Sequence, residues 1–318
     1  MTSGTTPSFW TDQRVLVAGG GGFIGGFVVE ALKRRGVADA DIVVPRSRTD
    51  DLRHPDVCRR VVRGCTVVIH LAAPTGSIAF SRAHPASQFR DCSLINLHLL
   101  EAAREAGVKK FVALGNLLAY PATAVVPLRE ENVHDGAVNA TYHGVALAKR
   151  NLLDLAEMYH AEFGFEVVNV LAANAYGPRD HFSGAQAHVI PATIVKCFRD
   201  DDLVVWGDGS PTRDFLYVED IAGGLLLACE RLVSPAFVNL ASGTEISIAD
   251  LVTLIARLCG FERRIVFDVT KTGGDPRRVA STDRCDALLG FSPTVPIDDG
   301  LRRTIDWYRQ TMPAAVEP

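Results

Sequence analysis

Four consecutive glycines, Gly19-Gly20-Gly21-Gly22, separate a short apolar run, Arg14-Val15-Leu16-Val17-Ala18, from a stretch of helical periodicity over residues 23–35. With Gly25 they form a G-x-x-G-x-x-G on Gly19, Gly22 and Gly25. A strand, a tight glycine turn and a helix in that order open a βαβ series. The turn is bare so that a diphosphate can approach backbone N–H groups, and the helix N-terminus then stabilises its charge. Gly19, Gly22, Phe23, Ile24 and Gly25 are therefore the expected dinucleotide cradle. The alternative is a glycine-rich turn with no ligand.

The chain continues as that opening requires. Ile42-Val43-Val44 predicts a second strand, and Thr66-Val67-Val68-Ile69-His70-Leu71 a third, followed by the small pair Ala72-Ala73. A helix is predicted over 94–106, closed by Gly107, and a strand over 110–114. A long helix follows over 145–163, closed by Gly164, then a strand over 166–171. Alternating strands and helices of this length give an α/β fold with a Rossmann-type, doubly wound parallel sheet. Beyond about residue 175 the pattern is broken by Pro178, Pro191 and Pro211. The expectation is a dinucleotide-binding domain over 1–175. Residues 176–318 would form mainly a smaller C-terminal α/β substrate domain, with some chain returning to the core and substrate in the crevice between.

Composition excludes more than it selects. Of 318 residues 47% are apolar and the net charge is −4, which gives no electrostatic case for nucleic acid or membrane partners. No apolar run is long enough for a bilayer span. Seven scattered cysteines without a C-x-x-C fit reduced core thiols of a cytoplasmic protein. The helix over 145–163 is apolar nearly all round (Val145, Leu147, Leu152, Leu153, Leu155, Ala156, Met158, Tyr159). A helix with one wet face should not be. A homodimer joined through the two long helices of the first domain would account for it; burial under the second domain is the alternative.

The end of the second strand selects the cofactor. An acid there would accept from a ribose 2′-hydroxyl, but the run is Val43-Val44-Pro45-Arg46-Ser47-Arg48. Arg46 and Arg48 without a carboxylate favour NADP(H), unless they are ordinary surface charges. Asp51 and Leu52 would flank the adenine. Leu71, Ala72 and Ala73 complete the expected cofactor wall.

With these motifs the chain resembles, over almost its whole length, the extended short-chain dehydrogenases, and among them the GDP-L-fucose synthases. The resemblance is carried by residues 43–52, by Asn174-Ala175-Tyr176-Gly177-Pro178-Arg179-Asp180, by His188-Val189-Ile190-Pro191, by Val204-Val205-Trp206-Gly207-Asp208-Gly209, and by Arg213-Asp214-Phe215-Leu216-Tyr217-Val218-Glu219-Asp220. It implies that Asn174, His188, Val189, Lys196, Trp206, Arg213 and Arg277 line a GDP-hexose pocket. A guanidinium fork suits a diphosphate and a flat apolar ring suits guanine. Trp206 as a core or lid aromatic, and Arg213 as an ion pair with Asp214 or Glu219, are the structural alternatives.

The departures lie where the family does its chemistry. There a Ser, a Tyr and a Lys cooperate, the tyrosine giving a proton as hydride reaches a carbonyl. Here Lys149 is present, but the position four residues before it is Val145. Asn116 stands at the serine position, and Leu118 at that of a cysteine used in epimerisation. Losing such a general acid costs roughly 10²–10⁴-fold in rate. His188 survives. Tyr142 and His143 are possible substitutes for the missing acid, although a plain loop role before the helix is the alternative. Asp180, His181 and His188 lack the spacing of a metal site, so a divalent ion (Mg or Mn) would be held chiefly by the diphosphate.

Three functions remain open. The first is a redox-neutral isomerase or mutase exchanging the pyranose and furanose forms of a GDP-hexose, similar to the GDP-sugar mutases of nucleoside-antibiotic natural-product pathways. His188 would act as acid/base and Asn116 would position the sugar. The second is an NADP-dependent epimerase/reductase of a GDP-4-keto-6-deoxyhexose with a displaced proton donor. The third is a non-catalytic nucleotide-sugar-binding paralogue.

Overall fold

The computed structural model describes residues 8–74, 78–183, 187–271 and 275–312. Its strands are β1 (Val15–Ala18), β2 (Ile42–Val43), β3 (Val67–His70), β4 (Lys110–Asn116), β5 (Val167–Ala172), β6 (Asn174–Tyr176), β7 (Leu203–Trp206), β8 (Thr212–Arg213), β9 (Phe215–Tyr217), β10 (Phe237–Leu240), β11 (Ile246–Ser247), β12 (Ile265–Asp268) and β13 (Arg277–Arg278). The helices are α1 (Phe23–Arg34), α2 (Pro55–Val61), α3 (Ile78–Ala83), α4 (Pro85–Glu105), α5 (His143–Phe163), α6 (Val189–Arg199), α7 (Val218–Arg231), α8 (Ile248–Cys259), α9 (Asp283–Leu289) and α10 (Ile297–Thr311).

Six strands form one parallel sheet in the order β10-β5-β4-β3-β1-β2. The alternation of side chains along β1 and β3 divides the core. Val15, Val17, Val67 and Ile69 face α1 and α7, packing with Phe27, Val28 and Leu225. Leu16, Ala18 and Val68 face the opposite layer, with Leu99 of α4 and Leu152 of α5. Both faces are covered, so the strands are continuously apolar rather than alternating. The last core strand, β10, and α7 come from beyond residue 176 and return to this sheet. α9 also packs on this core, and the other C-terminal elements build a separate core around Tyr176, Ile194, Leu251 and Tyr308, edged by the small sheets β12-β7, β11-β8-β13 and β6-β9.

Buried carboxylates fasten the loops that join these parts. Asp214, fully buried between β8 and β9, accepts from the Ser242 N–H at 3.0 Å, the Ser242 hydroxyl at 2.6 Å and the Gly243 N–H at 3.0 Å. Asp220 does the same for the Thr294 N–H and hydroxyl and the Val295 N–H. Burial still raises the Asp214 pKa, the hydrogen bonds opposing it.

Two helices differ from their sequence-based limits. α4 begins at Pro85 rather than 94, because its first turns carry polar residues such as Gln88 that a search for apolar periodicity passes over. α5 begins at His143, just ahead of Val145. Nor is α5 covered all round. Val145, Leu152, Leu153 and Ala156 are buried, but Met158 is 55% exposed, as is Leu97 of α4 at 42%. Leu97, Leu155 and Met158 line a shallow cavity of about 200 Å³ between the two helices. Burial under the second domain is thereby excluded. Among the described residues no helix is long and apolar enough to cross a membrane, and all seven cysteines are free.

Replacing Asp214 by Ala strips three donors of their acceptor in a dry site. Unfolding in urea should show a loss of at least about 2 kcal/mol with an unchanged slope.

Candidate functional site

The glycine turn is built from close approaches. Gly19 has φ +86°, and a Cβ there would lie 2.9 Å from the Ala72 nitrogen. A Cβ on Gly25 would run into the Gly19 carbonyl. Leu71, Ala72 and Ala73 leave β3 against the turn, the Leu71 N–H donating to the Ala18 carbonyl at 2.8 Å. Phe23 and Ile24 open α1, whose first turn carries no acidic residue, so its positive end is not neutralised from within.

Arg46 folds over this turn, with its guanidinium where a side chain on Gly21 would have to go. Asp50 takes the Arg46 backbone N–H and pairs with Arg60, leaving the Arg46 guanidinium with no ion pair among the described residues. Arg48 is exposed and likewise without an ion pair among them. The loop therefore fits a dinucleotide. Gly19, Gly22 and Gly25 would admit the diphosphate and Arg46 a phosphate on the adenosine ribose. Asp51, expected to flank an adenine, is paired with a neighbouring arginine. Arg53 binds its carboxylate at 2.6 Å and holds it near pKa 2, and Leu52 is buried in the core.

Near the carboxyl end of β4, Val145 is buried on α5 and Lys149 is buried one turn below. The Lys149 ammonium donates to the Leu114 carbonyl at 2.7 Å, with no carboxylate beside it among the described residues, and burial pushes its pKa down. Behind it, burial and the Lys149 charge hold His70 neutral, with a pKa near 4. The Asn96 amide donates to the Ala148 carbonyl at 3.1 Å, so its oxygen accepts from His70 Nε2–H at 2.9 Å. Asn116 closes β4, and its Oδ1 accepts the Leu118 N–H at 3.2 Å. It caps its own turn rather than relaying a proton.

Tyr142 ends a short turn capped by Asn139, whose Oδ1 accepts the Thr141 N–H at 2.8 Å. The Arg278 guanidinium lies 5.5 Å from the Tyr142 ring centre. His143 is exposed at the first residue of α5. A cavity of about 130 Å³ beside them is lined by Leu117, Leu118, Asn139, Asp275, Arg277 and Arg278, among others. It brings the Asn116 turn to the double arginine of β13. His188, Lys196 and Trp206 are outside its lining.

The pocket residues implied by resemblance are placed as follows. Asn174 is anchored, its N–H and side-chain amide both donating to the Asp214 carbonyl, at 3.2 and 2.8 Å. Arg213 is half-buried and donates to the Thr212 carbonyl at 2.6 Å. The expected alternative, an ion pair with Asp214 or Glu219, is absent: Asp214 holds Ser242 and Gly243, and Glu219 pairs with Arg303. Burial and then the nearby Arg278 charge lower the Arg213 pKa. Arg277 forms a two-point pair with Glu245, at 2.6 and 2.8 Å. Val189 begins α6, Lys196 on the same helix donates to the Val204 carbonyl, and Trp206 ends β7 at 71% exposure. Such exposure removes the core alternative for Trp206.

His188 caps α6, with Nδ1 3.7 Å from Asp180 Oδ1. The Asp180 carboxylate raises the His188 pKa, against the opposing effect of burial. Sequence reasoning missed Asn139, Asp275 and Arg278. The tandem Arg277-Arg278 was the available signal, but which of the two is buried beside Asp275 depends on the register of β13. No group of three or more His, Cys, Asp or Glu suited to a metal occurs among the described residues, so no step is assigned to a protein-held ion.

The model of the NAD dependent epimerase/dehydratase family matches residues 15–241. The chain belongs to that family. Within reach of it by sequence are GDP-L-fucose synthase 1 of Arabidopsis thaliana, 31% identical with 96% of this chain and 97% of the relative covered, and the GDP-L-fucose synthase of Escherichia coli, also 31%, covering 93% and 96%. Among solved structures, a GDP-L-fucose synthetase from Naegleria fowleri bound to NADP superposes with a TM-score of 0.87 at 28% identity, over 98% of this chain and 97% of that one. The family is thus an extended short-chain dehydrogenase family, and the Rossmann-type fold is its fold.

Arg46→Ala should weaken NADPH binding roughly 10- to 100-fold while leaving NADH binding nearly unchanged. Fluorescence titration of the two nucleotides measures the ratio; equal losses would remove Arg46 from the phosphate site.

Proposed function

We propose that this chain is a GDP-hexose enzyme that rearranges its substrate without net oxidation or reduction, exchanging a pyranose for a furanose ring. Val145 carries the proposal. It is a buried hydrocarbon at the place where a reductase of this family needs a phenol, and Lys149 below it is bonded to a backbone carbonyl instead. Asn116 is occupied with its own turn, and Leu118 has no proton to exchange. The GDP assignment rests on the relatives named above and on Arg213, an arginine in the expected diphosphate path that forms no ion pair among the described residues.

The ring exchange balances without a redox partner. The 4-hydroxyl oxygen attacks C1 and gives its proton to His188, while the C1–O bond to GDP breaks and GDP leaves with the electron pair. A GDP phosphate oxygen then returns to C1. The bond from C1 to the old ring oxygen breaks, and that oxygen takes the proton back from His188. Arg213 would hold the diphosphate through both steps, and Asn116 would offer its amide N–H to the sugar.

A second proposal has its own support. The relatives named GDP-L-fucose synthase, together with Arg46 over the glycine turn, favour an NADP-dependent epimerase/reductase. In that case Tyr142, under the Arg278 guanidinium, is the displaced donor. The two separate cleanly. NMR of GDP-hexoses incubated with purified protein and no nicotinamide should reveal furanose anomeric signals. Conversion only of a GDP-4-keto sugar, and only with NADPH, would replace the first proposal by the second; Tyr142→Phe should then cost roughly 10²-fold or more in kcat.

We also propose that the outer face of α4 and α5 packs against a second copy of the chain. Leu97→Glu combined with Met158→Glu should halve the mass measured by light scattering; a wild-type protein that is already monomeric would overturn this.

A further inference from the structure

Asp180 is an unusual carboxylate. Its side chain is only 1% exposed, yet among the described residues Oδ1 accepts just the His181 N–H, at 2.7 Å, and Oδ2 has no hydrogen-bond partner. A buried carboxylate oxygen left unpaired is costly, and such an exception calls for a reason. The group that faces it is His188, whose side chain is 61% exposed on its far side.

The backbone is bent to bring the two together. Arg179 has φ +69°, a left-handed conformation that costs a residue other than glycine of order 1 kcal/mol or more. It is held there by Glu30, at 2.6 and 3.1 Å, and by stacking 3.8 Å over the Phe27 ring, both on α1. The turn at Arg179 directs the next side chain, Asp180, inward. His188 meets it from the start of α6.

We infer that Asp180 is the positioning residue of His188: it engages the ring at Nδ1, and so leaves Nε2 as the atom that takes a proton from the substrate and returns it. This rests on the proposed role of His188 as acid/base. At 3.7 Å the contact is slightly outside hydrogen-bond range, as such contacts often are before substrate tightens them, and it becomes an ion pair only once the ring is protonated. The unpartnered Oδ2 gives the carboxylate capacity to follow the ring as it becomes charged.

Among the described residues Asp180 is the charged group that acts on His188. On α6 itself Lys196 is turned to the Val204 carbonyl, and His181 lies exposed beyond Asp180. The sign follows from this. The carboxylate favours the imidazolium, so replacing it by an amide must lower the His188 pKa.

The test is an NMR titration of the His188 imidazole in the full-length protein, wild type against Asp180→Asn and Asp180→Glu, with His188→Gln to assign the resonance. The expected result is a downward pKa shift in Asp180→Asn, and a wild-type-like value in Asp180→Glu. The titration needs no substrate, so it stands if the ring-exchange proposal fails. With an active substrate, kcat of Asp180→Asn should fall roughly 10²-fold with KM little changed, and the acidic limb of its pH profile should move to lower pH. An unchanged His188 pKa in Asp180→Asn would overturn the inference. If Asp180→Asn does not fold, a His188 pKa in Asp180→Glu that falls well below wild type would overturn it instead.

Discussion

A parallel sheet buried on both faces leaves a protein one place to do chemistry. Val15 to Ala18, Val67 to His70 and Val167 to Ala172 are closed off by helices above and below. A crevice opens at the carboxyl ends of the strands, where the chain turns away. Gly19 follows β1, Leu71 follows β3, Asn116 ends β4 and Asn174 follows β5, all along the same edge. The crevice is thus a consequence of covering the sheet. Its polar residues come from whatever the second half of the chain lays against that edge.

Local features of this plan were legible in the sequence because they are local in origin. A strand, a glycine turn and a helix are written in consecutive residues, and so is the exchange of tyrosine for valine. Pairings between distant residues were not legible. Arg213 stands beside Asp214 in the chain, which suggested an ion pair. The fold instead gives Asp214 to the N–H groups of Ser242 and Gly243. The pairing of Asp51 with Arg53, two residues on, was likewise not read from the sequence. The burial of Arg278 rather than Arg277 follows from the register of a two-residue strand against β8, which no periodicity of that length can report. Asp180 and His188 were seen as a loose polar cluster, but only the bend at Arg179 makes them neighbours.

Lys149 shows how a site changes character without changing its fold. A buried ammonium normally needs an anion or a ring of acceptors. Here a backbone carbonyl at 2.7 Å is its partner, with a neutral histidine nearby. The amine is retained with its helix and its strand. Beside it, where the family resemblance implies a group able to lose a proton, stands the hydrocarbon of Val145. On the proposed function, proton traffic would use the other side of the crevice, where His188 is open to solvent and backed by a carboxylate.

The grip of Arg179 on Glu30 and Phe27 has a mechanical meaning. The pair is half-exposed, so salt screens it and its strength is modest. What it provides is registration, because α1 is also the helix that opens at the glycine turn. The floor beneath Asp180 is therefore the same rod whose tip would receive a diphosphate. A nucleotide seated at that tip would act on the histidine as a splint acts on a joint, holding alignment while exchanging nothing. On the proposed redox-neutral function, that would give the glycine turn a use apart from hydride chemistry.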